Sequence, residues 1–298
     1  MDPNAEQSLL DRSCASALIR WATFYQNSGA WSNDAAYNAG RKFRGDLFRF
    51  RKPNYEDLYV PAAYIIHYQL GHIYMAKVAL ERLNQSRKPD QKFIRIVDFG
   101  AGASACRIAT TLMMAESLER GQPIDNVYIV EVDESRFMQS MGEFVWQAFV
   151  GIVLTEFTNS PLAQAVENIA SIQVSHWRSV LAIKTNTWLT AFHAIYPDTY
   201  DMRTEAAQIF NHISPTMGVF TCHSRKLEKM REAFPFHNRR EGGGGFYPRF
   251  IPGPDGKVFP PTFHLAEQAK RLGFRNQRRR PFLQAKDCAI LWGSENPF

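Results

Sequence analysis

Cysteine is scarce in this chain, and what there is lies scattered. The four residues Cys14, Cys106, Cys222 and Cys288 include no C-x-x-C pair. That spacing argues against a zinc or iron–sulfur site and against a disulfide framework, so no metal is expected. No apolar run reaches the length needed to span a bilayer. The opening Met1-Asp2-Pro3-Asn4-Ala5-Glu6 is polar and acidic, unlike a secretory signal. No Ser-His-Asp order, paired-carboxylate motif or metal-ligand spacing stands out. The run Gly242-Gly243-Gly244-Gly245 follows no strand and precedes no Lys-Ser/Thr, so it is not a phosphate loop. These absences leave a soluble, cytoplasmic protein with no membrane partner as the expectation.

What is present begins with size: 298 residues, 45% of them hydrophobic, suffice for one large core and an appended lobe. The formal net charge of +6 is a modest bias towards anionic partners. The bases are clustered. The Arg41–Lys52 region interleaves Arg41, Lys42, Arg44, Arg49, Arg51 and Lys52 with Phe43, Phe48 and Phe50, and a second run spans Arg275–Arg280. Bases beside aromatics suit single-stranded nucleic acid, through phosphate attraction and base stacking. A solvated basic surface with the phenylalanines turned inward is the other reading.

The densest signal lies in the middle of the chain. Ile94-Arg95-Ile96-Val97-Asp98-Phe99 reads as a strand that ends in an acid and then the turn Gly100-Ala101-Gly102-Ala103-Ser104. A second apolar run, Val127-Tyr128-Ile129-Val130-Glu131-Val132-Asp133, also ends in acids. Two such strands with a helix of about 104–120 between them make a nucleoside-binding half-sheet. The glycines let the backbone turn tightly and let a ligand touch the main chain, and the helix amides face that ligand. Asp133 is placed to accept from both ribose hydroxyls; Glu131 takes that role if the strand ends two residues earlier. Gly100 to Ala105 also fits the dinucleotide pattern G-x-G-x-x-G/A, which would make an NAD(P)-dependent oxidoreductase. Asp98 is the discriminator. A carboxylate there repels a pyrophosphate but favours a ligand that carries an ammonium and a sulfonium.

Val97-Asp98-Phe99-Gly100-Ala101-Gly102 resembles motif I of the class I S-adenosylmethionine-dependent methyltransferases. Val130-Glu131-Val132-Asp133-Glu134-Ser135 is similar to their ribose-binding motif II, and the likeness covers roughly residues 90–298. The third family glycine is replaced by Ser104. The resemblance implies S-adenosyl-L-methionine as cofactor, held by Asp98, Gly100, Ala101, Gly102, Glu131 and Asp133. It also implies a Rossmann-like α/β sheet with helices on both faces and a terminal antiparallel β-hairpin, here at about 278–284 and 287–293.

Around that sheet the chain divides into a helical N-terminal cap, 1–88, and the cofactor domain, 89–298. The cap reads as helices Leu9–Gln26 and Tyr59–Leu83 with a loop over 31–57, and the second helix carries Tyr64, His67, Tyr68, His72 and Tyr74. In the cofactor domain, strands are expected near 172–175, 188–194 and 219–223, and helices at 135–157, 204–213, 224–234 and 264–272. The segment 241–261 reads as a glycine- and proline-rich loop insertion. Phe192-His193-Ala194-Ile195-Tyr196-Pro197 falls where family members acting on planar amino groups carry Asn/Asp-Pro-Pro-Tyr. His193 is therefore the candidate base and Tyr196 the candidate stacking wall. The lone His176 and His223 read as structural. Three functions remain open: methylation of a small molecule, methylation of RNA or protein, and a non-catalytic scaffold with an assembly or regulatory role. The methyl acceptor and the oligomeric state are not encoded in any motif.

Overall fold

The computed structural model describes residues 1–48, 53–85, 87–183, 186–192, 202–223, 247–250, 263–274 and 287–293. Seven strands form one sheet in the order β3-β2-β1-β4-β5-β7-β6. They are β1 Phe93–Phe99, β2 Asn126–Val132, β3 Ile169–Val174, β4 Thr187–Phe192, β5 Met217–His223, β6 Tyr247–Phe250 and β7 Asp287–Gly293. The first five are parallel, while β7 runs antiparallel to β5 and β6 antiparallel to β7. This is a Rossmann-like sheet, with helices on both faces.

Strand β1 is central, and its buried run Ile94 to Asp98 is what a strand covered on both faces requires. One face, carrying Ile94, Ile96, Val127, Ile129 and Trp188, packs under α1 Pro3–Asn27, α4 Leu70–Gln85, α5 Ala105–Glu119 and α6 Arg136–Glu156. The other face, carrying Val97, Val130, Leu189 and Phe220, packs on Ile209 and Ile213 of α8 Met202–Ile213. Helix α6 is, among the described residues, the one helix long and apolar enough to cross a membrane by composition. Its apolar face instead fills this core through Met138, Met141, Val145, Phe149 and Val153.

The N-terminal helices share that core rather than standing apart from it. Trp21 of α1 is 1% exposed and meets Phe137 and Phe144 of α6 edge-on, and its Nε1 donates to the carbonyl of Leu58 at 2.9 Å. Such a side chain stabilises by up to about 3 kcal/mol through burial alone. The helix expected at Tyr59–Leu83 forms as α3 Val60–Tyr64, a π-helical turn Ile65–Gln69, and α4. Pro61 sits in its first turn, where no amide donor is needed.

Two expectations are corrected. The loop expected over 31–57 contains helix α2, Asn33–Phe48. Gly40 and Gly45 and the basic residues obscured its periodicity, yet Ala36 and Phe43 are buried two turns apart. Gly40 is a packing need rather than a break, because a Cβ there would stand 3.0 Å from the Phe274 ring. The 241–261 insertion contains strand β6, which is the partner of β7. The expected strand 278–284 and helix 224–234 lie outside the described residues. Helix α7, Pro161–Glu167, went unread; it is short and starts at the N-cap Ser160.

Helix α9, Phe263–Arg271, is held by the far end of the chain. Asp11 of α1 is 5% exposed, and its carboxylate accepts from the amides of His264 and Leu265, each at 2.9 Å. An acid at a helix start answers the unpaired amides there and the positive end of the helix dipole.

Candidate functional site

The site lies at the carboxyl ends of β1 and β2, where open α/β sheets bind ligands. Gly100 and Gly102 have φ of 65° and 56°, in the left-handed region that favours glycine. Ser104 follows at φ 59°, ψ 34°, so this position of the turn also takes left-handed backbone, and a serine supplies it. Space for that serine comes from α6. A Cβ on Gly142 would stand 2.5 Å from Ser104 Oγ and 3.1 Å from its amide nitrogen. Gly142 is thus a residue of the turn that no local pattern reveals, being 38 positions further on in an otherwise regular helix (142 − 104 = 38).

The acids divide into two tiers. Asp133, just past β2, accepts from the Gly102 amide through Oδ2 at 2.8 Å and from the Ser135 amide through Oδ1 at 2.8 Å. Each oxygen of an ionised carboxylate has a second lone pair, so the group can stitch the two strand ends and still accept from a vicinal diol. Below it, one register row crosses four strands as Gln173, Glu131, Asp98 and Thr190. Asp98 is 2% exposed and accepts from Thr190 Oγ1 at 2.6 Å. Burial drives its carboxyl well above the ordinary range, against the Thr190 hydrogen bond and with help from the charges of Glu131 and Asp133. Glu131 is 1% exposed, with Arg107 of α5 at 3.8 Å, and burial raises its carboxyl also. Arg107 in turn lies over the Trp146 ring at 4.0 Å. Glu131 therefore stands beneath the turn, in its foundation, and Asp133 at the rim.

Most of the turn's own amides are engaged. Gly100 and Ala101 donate to the Val132 carbonyl, Gly102 to Asp133, and Ser104 to the Ala101 carbonyl. The glycines therefore offer a ligand close approach more than free donors.

The N-terminal helices reach the same place. Gln69, fully buried, donates through Nε2 to the Ala103 carbonyl at 2.7 Å. Ser135 caps α6 and donates its hydroxyl to the Tyr55 carbonyl at 2.8 Å. The Tyr55 phenol is raised by burial and then by the Asp133 charge. Tyr64 Oη lies 3.6 Å from where a Cβ of Gly102 would be, and 2.6 Å from His72 Nδ1. Sequence reading found the stripe of tyrosines and histidines but not Tyr55 or Gln69. A loop tyrosine and a mid-helix glutamine carry no local signal.

His193, Tyr196, most of 241–261 and the Arg275–Arg280 run lie outside the described residues, and so does the side chain of His223. His176 is structural: its Nδ1 accepts from the Arg178 amide at 3.1 Å, and its ring stacks on Trp177. On α2, Arg41 and Lys42 are exposed and Arg41 lies 5.7 Å over the Tyr37 ring; Phe43, next in sequence, is turned into the core. Among the described residues, no group of three acids, histidines or cysteines is placed to hold a metal ion.

No family model and no curated protein matches the chain. Solved structures do. A Listeria monocytogenes protein described as a proposed class I S-adenosylmethionine-dependent methyltransferase is 12% identical, over 96% of this chain and 88% of that one, with a TM-score of 0.46. A proposed tRNA methyltransferase of Streptococcus pneumoniae, in complex with S-adenosyl-L-methionine, is 12% identical over 67% and 65%, with a TM-score of 0.33. Loganic acid methyltransferase, with S-adenosylhomocysteine, is 11% identical over 76% and 94%, with a TM-score of 0.36. The likeness concerns the fold, and the site must carry any functional reading.

Proposed function

We propose that the protein is an S-adenosylmethionine-dependent methyltransferase. One observation carries the reading: the Asp133 carboxylate is bonded to the amide of Gly102 in the left-handed turn after β1. In a dinucleotide site that amide faces a pyrophosphate. Here a carboxylate occupies it, and its charge repels a phosphate. The same charge suits a ribose, whose two hydroxyls donate, and a ligand with cationic groups nearby. Asp98, buried below, adds a second acid and no base. The donor set thus fits S-adenosylmethionine and not NAD(P).

The bound cofactor supplies an already activated methyl group on a sulfonium. The protein's task is to align and to desolvate. Asp133 fixes the ribose, and the glycines at 100 and 102 let the chain lie against the turn. Tyr55 and Tyr64 close the site from the N-terminal side. Alignment of this kind lowers a barrier by up to roughly 7–11 kcal/mol. A base is needed only when the accepting atom carries a proton that must leave. The acceptor class, whether small molecule, RNA or protein, is read from turnover on fractionated extracts. A scaffold would bind the cofactor and turn nothing over.

Isothermal titration with S-adenosylhomocysteine, and with NADH as control, tests the reading. Micromolar binding of the former alone is expected, and Asp133→Ala weakens it at least tenfold. Binding of NADH alone overturns the reading.

A further inference from the structure

The zwitterionic tail of the cofactor needs donors for a carboxylate and acceptors for an ammonium. The turn has few to spare, since the amides of Gly100, Ala101, Gly102 and Ser104 already have partners inside the protein. Polar recognition must then come from another element. The helix Val60–Gln85 brings polar side chains to the turn, through Gln69 on the Ala103 carbonyl and Tyr64 beside Gly102.

The π-helical turn Ile65–Gln69 explains how both residues reach it. In an α-helix, residues five apart point about 140° away from each other. A π turn hydrogen-bonds residues five apart instead of four, which brings Tyr64 and Gln69 closer to one face. Such insertions recur at functional sites. Gln69 is fully buried, and its Oε1 has no partner, which is a cost the fold sustains to keep the Nε2 bond to Ala103. That bond fixes the height of the helix over the turn, and with it the height of Tyr64.

We propose that the hydrogen-bonded pair Tyr64–His72, held over Gly102 by the π turn, is the subsite for the aminocarboxylate end of the cofactor. This rests on the cofactor reading above. The pair suits either end of a zwitterion. With His72 Nδ1 bare, Tyr64 donates to it and its oxygen accepts from an ammonium. With Nδ1 protonated, His72 donates and the Tyr64 hydroxyl turns its proton to a carboxylate. Tyr68, with its ring 6.3 Å from Tyr64 and 5.8 Å from His72, buttresses both.

Two ligands separate the subsite from mere packing. S-adenosylhomocysteine carries the aminocarboxylate; 5′-methylthioadenosine shares the adenosine and sulfur and lacks it. Both are titrated calorimetrically into wild type, Tyr64→Phe and His72→Gln, with melting temperatures as the folding control. Tyr64→Phe is expected to weaken S-adenosylhomocysteine about tenfold and leave 5′-methylthioadenosine unchanged. His72→Gln acts in the same sense and more weakly, because it frees the phenol without removing it. Equal losses for the two ligands, or none for either, overturn the subsite while the cofactor reading stands. Failure of both ligands on wild type overturns the cofactor reading, and the subsite with it.

Discussion

Gly142 and Ser104 are 38 residues apart in sequence (142 − 104 = 38) and in contact in space, and their coupling can be measured. A glycine inside a helix ordinarily gains about 1 kcal/mol on replacement by alanine. At Gly142 the new Cβ would lie 2.5 Å from Ser104 Oγ, well inside contact distance. Overpacking of that kind costs typically 1–3 kcal/mol, so Gly142→Ala should lose up to about 2 kcal/mol net. Ser104→Gly removes the Oγ and also relieves a non-glycine residue at φ 59°, worth roughly 1–2 kcal/mol. In the double variant the nearest remaining atoms to the Cβ are the backbone nitrogen of residue 104 and the carbonyl carbon of Ala103, at 3.1 and 3.2 Å. Neighbouring backbone can yield by those few tenths of an ångström. Urea melts of the four proteins should therefore give a favourable coupling of about 1 kcal/mol or more, visible as roughly 2–4 °C in melting temperature. S-adenosylhomocysteine affinity should fall in Gly142→Ala and recover in the double variant. Additivity within about 0.5 kcal/mol would show that the turn does not depend on the space left by Gly142.

A pH effect and a docking effect follow from residues far from the turn. Glu81 shares Lys77 with Glu6 and Glu116, and burial together with the Glu116 charge pushes its carboxyl up to about 7, against the pull of Lys77. The folded state thus holds that proton more tightly than the unfolded chain does. The stability it brings is complete in acid and is lost as pH climbs from about 4.3 to about 7. Glu81→Gln should melt near wild type at pH 4.5 and above it at pH 8; a variant that melts lower at pH 8 refutes the sign. Asp11→Ala removes the two hydrogen bonds that start α9, at a cost of about 3 kcal/mol and roughly 5–10 °C. Asp11→Asn keeps one acceptor and should lose about half. Proteolysis near 263–274 should accelerate in step, and an unchanged cleavage rate would mean that α9 docks without the carboxylate.

The parallel sheet and the glycine turn after β1 were legible because their signals are local. Buried parallel strands are continuous apolar runs, and β1 and β2 carry theirs beside glycine and acid. Asp133 falls at the rim because a strand end can be read to within a residue there. Glu131 and Asp98 were legible as acids but not as a buried row, since register across strands is a tertiary fact. The rest is illegible for the same reason. Gly40 reads as a helix breaker until Phe274 is seen against it. Gly142 is one glycine in a long helix until Ser104 is beneath it. The π turn has no sequence signature at all, and it alone moves Gln69 closer to the face of Tyr64.

The bond between Asp11 and helix α9 also sets a schedule. The donor amides lie 253 and 254 positions after their acceptor. At about 5–20 residues per second, synthesis takes roughly 13–50 s to bring them out after Asp11 has emerged. Throughout that wait α1 carries a carboxylate destined for burial, with its apolar face uncovered until α6 emerges. Helix α1 is thus completed long after it is made, and a nascent protein stalled before residue 263 holds it unfinished and open to chaperones.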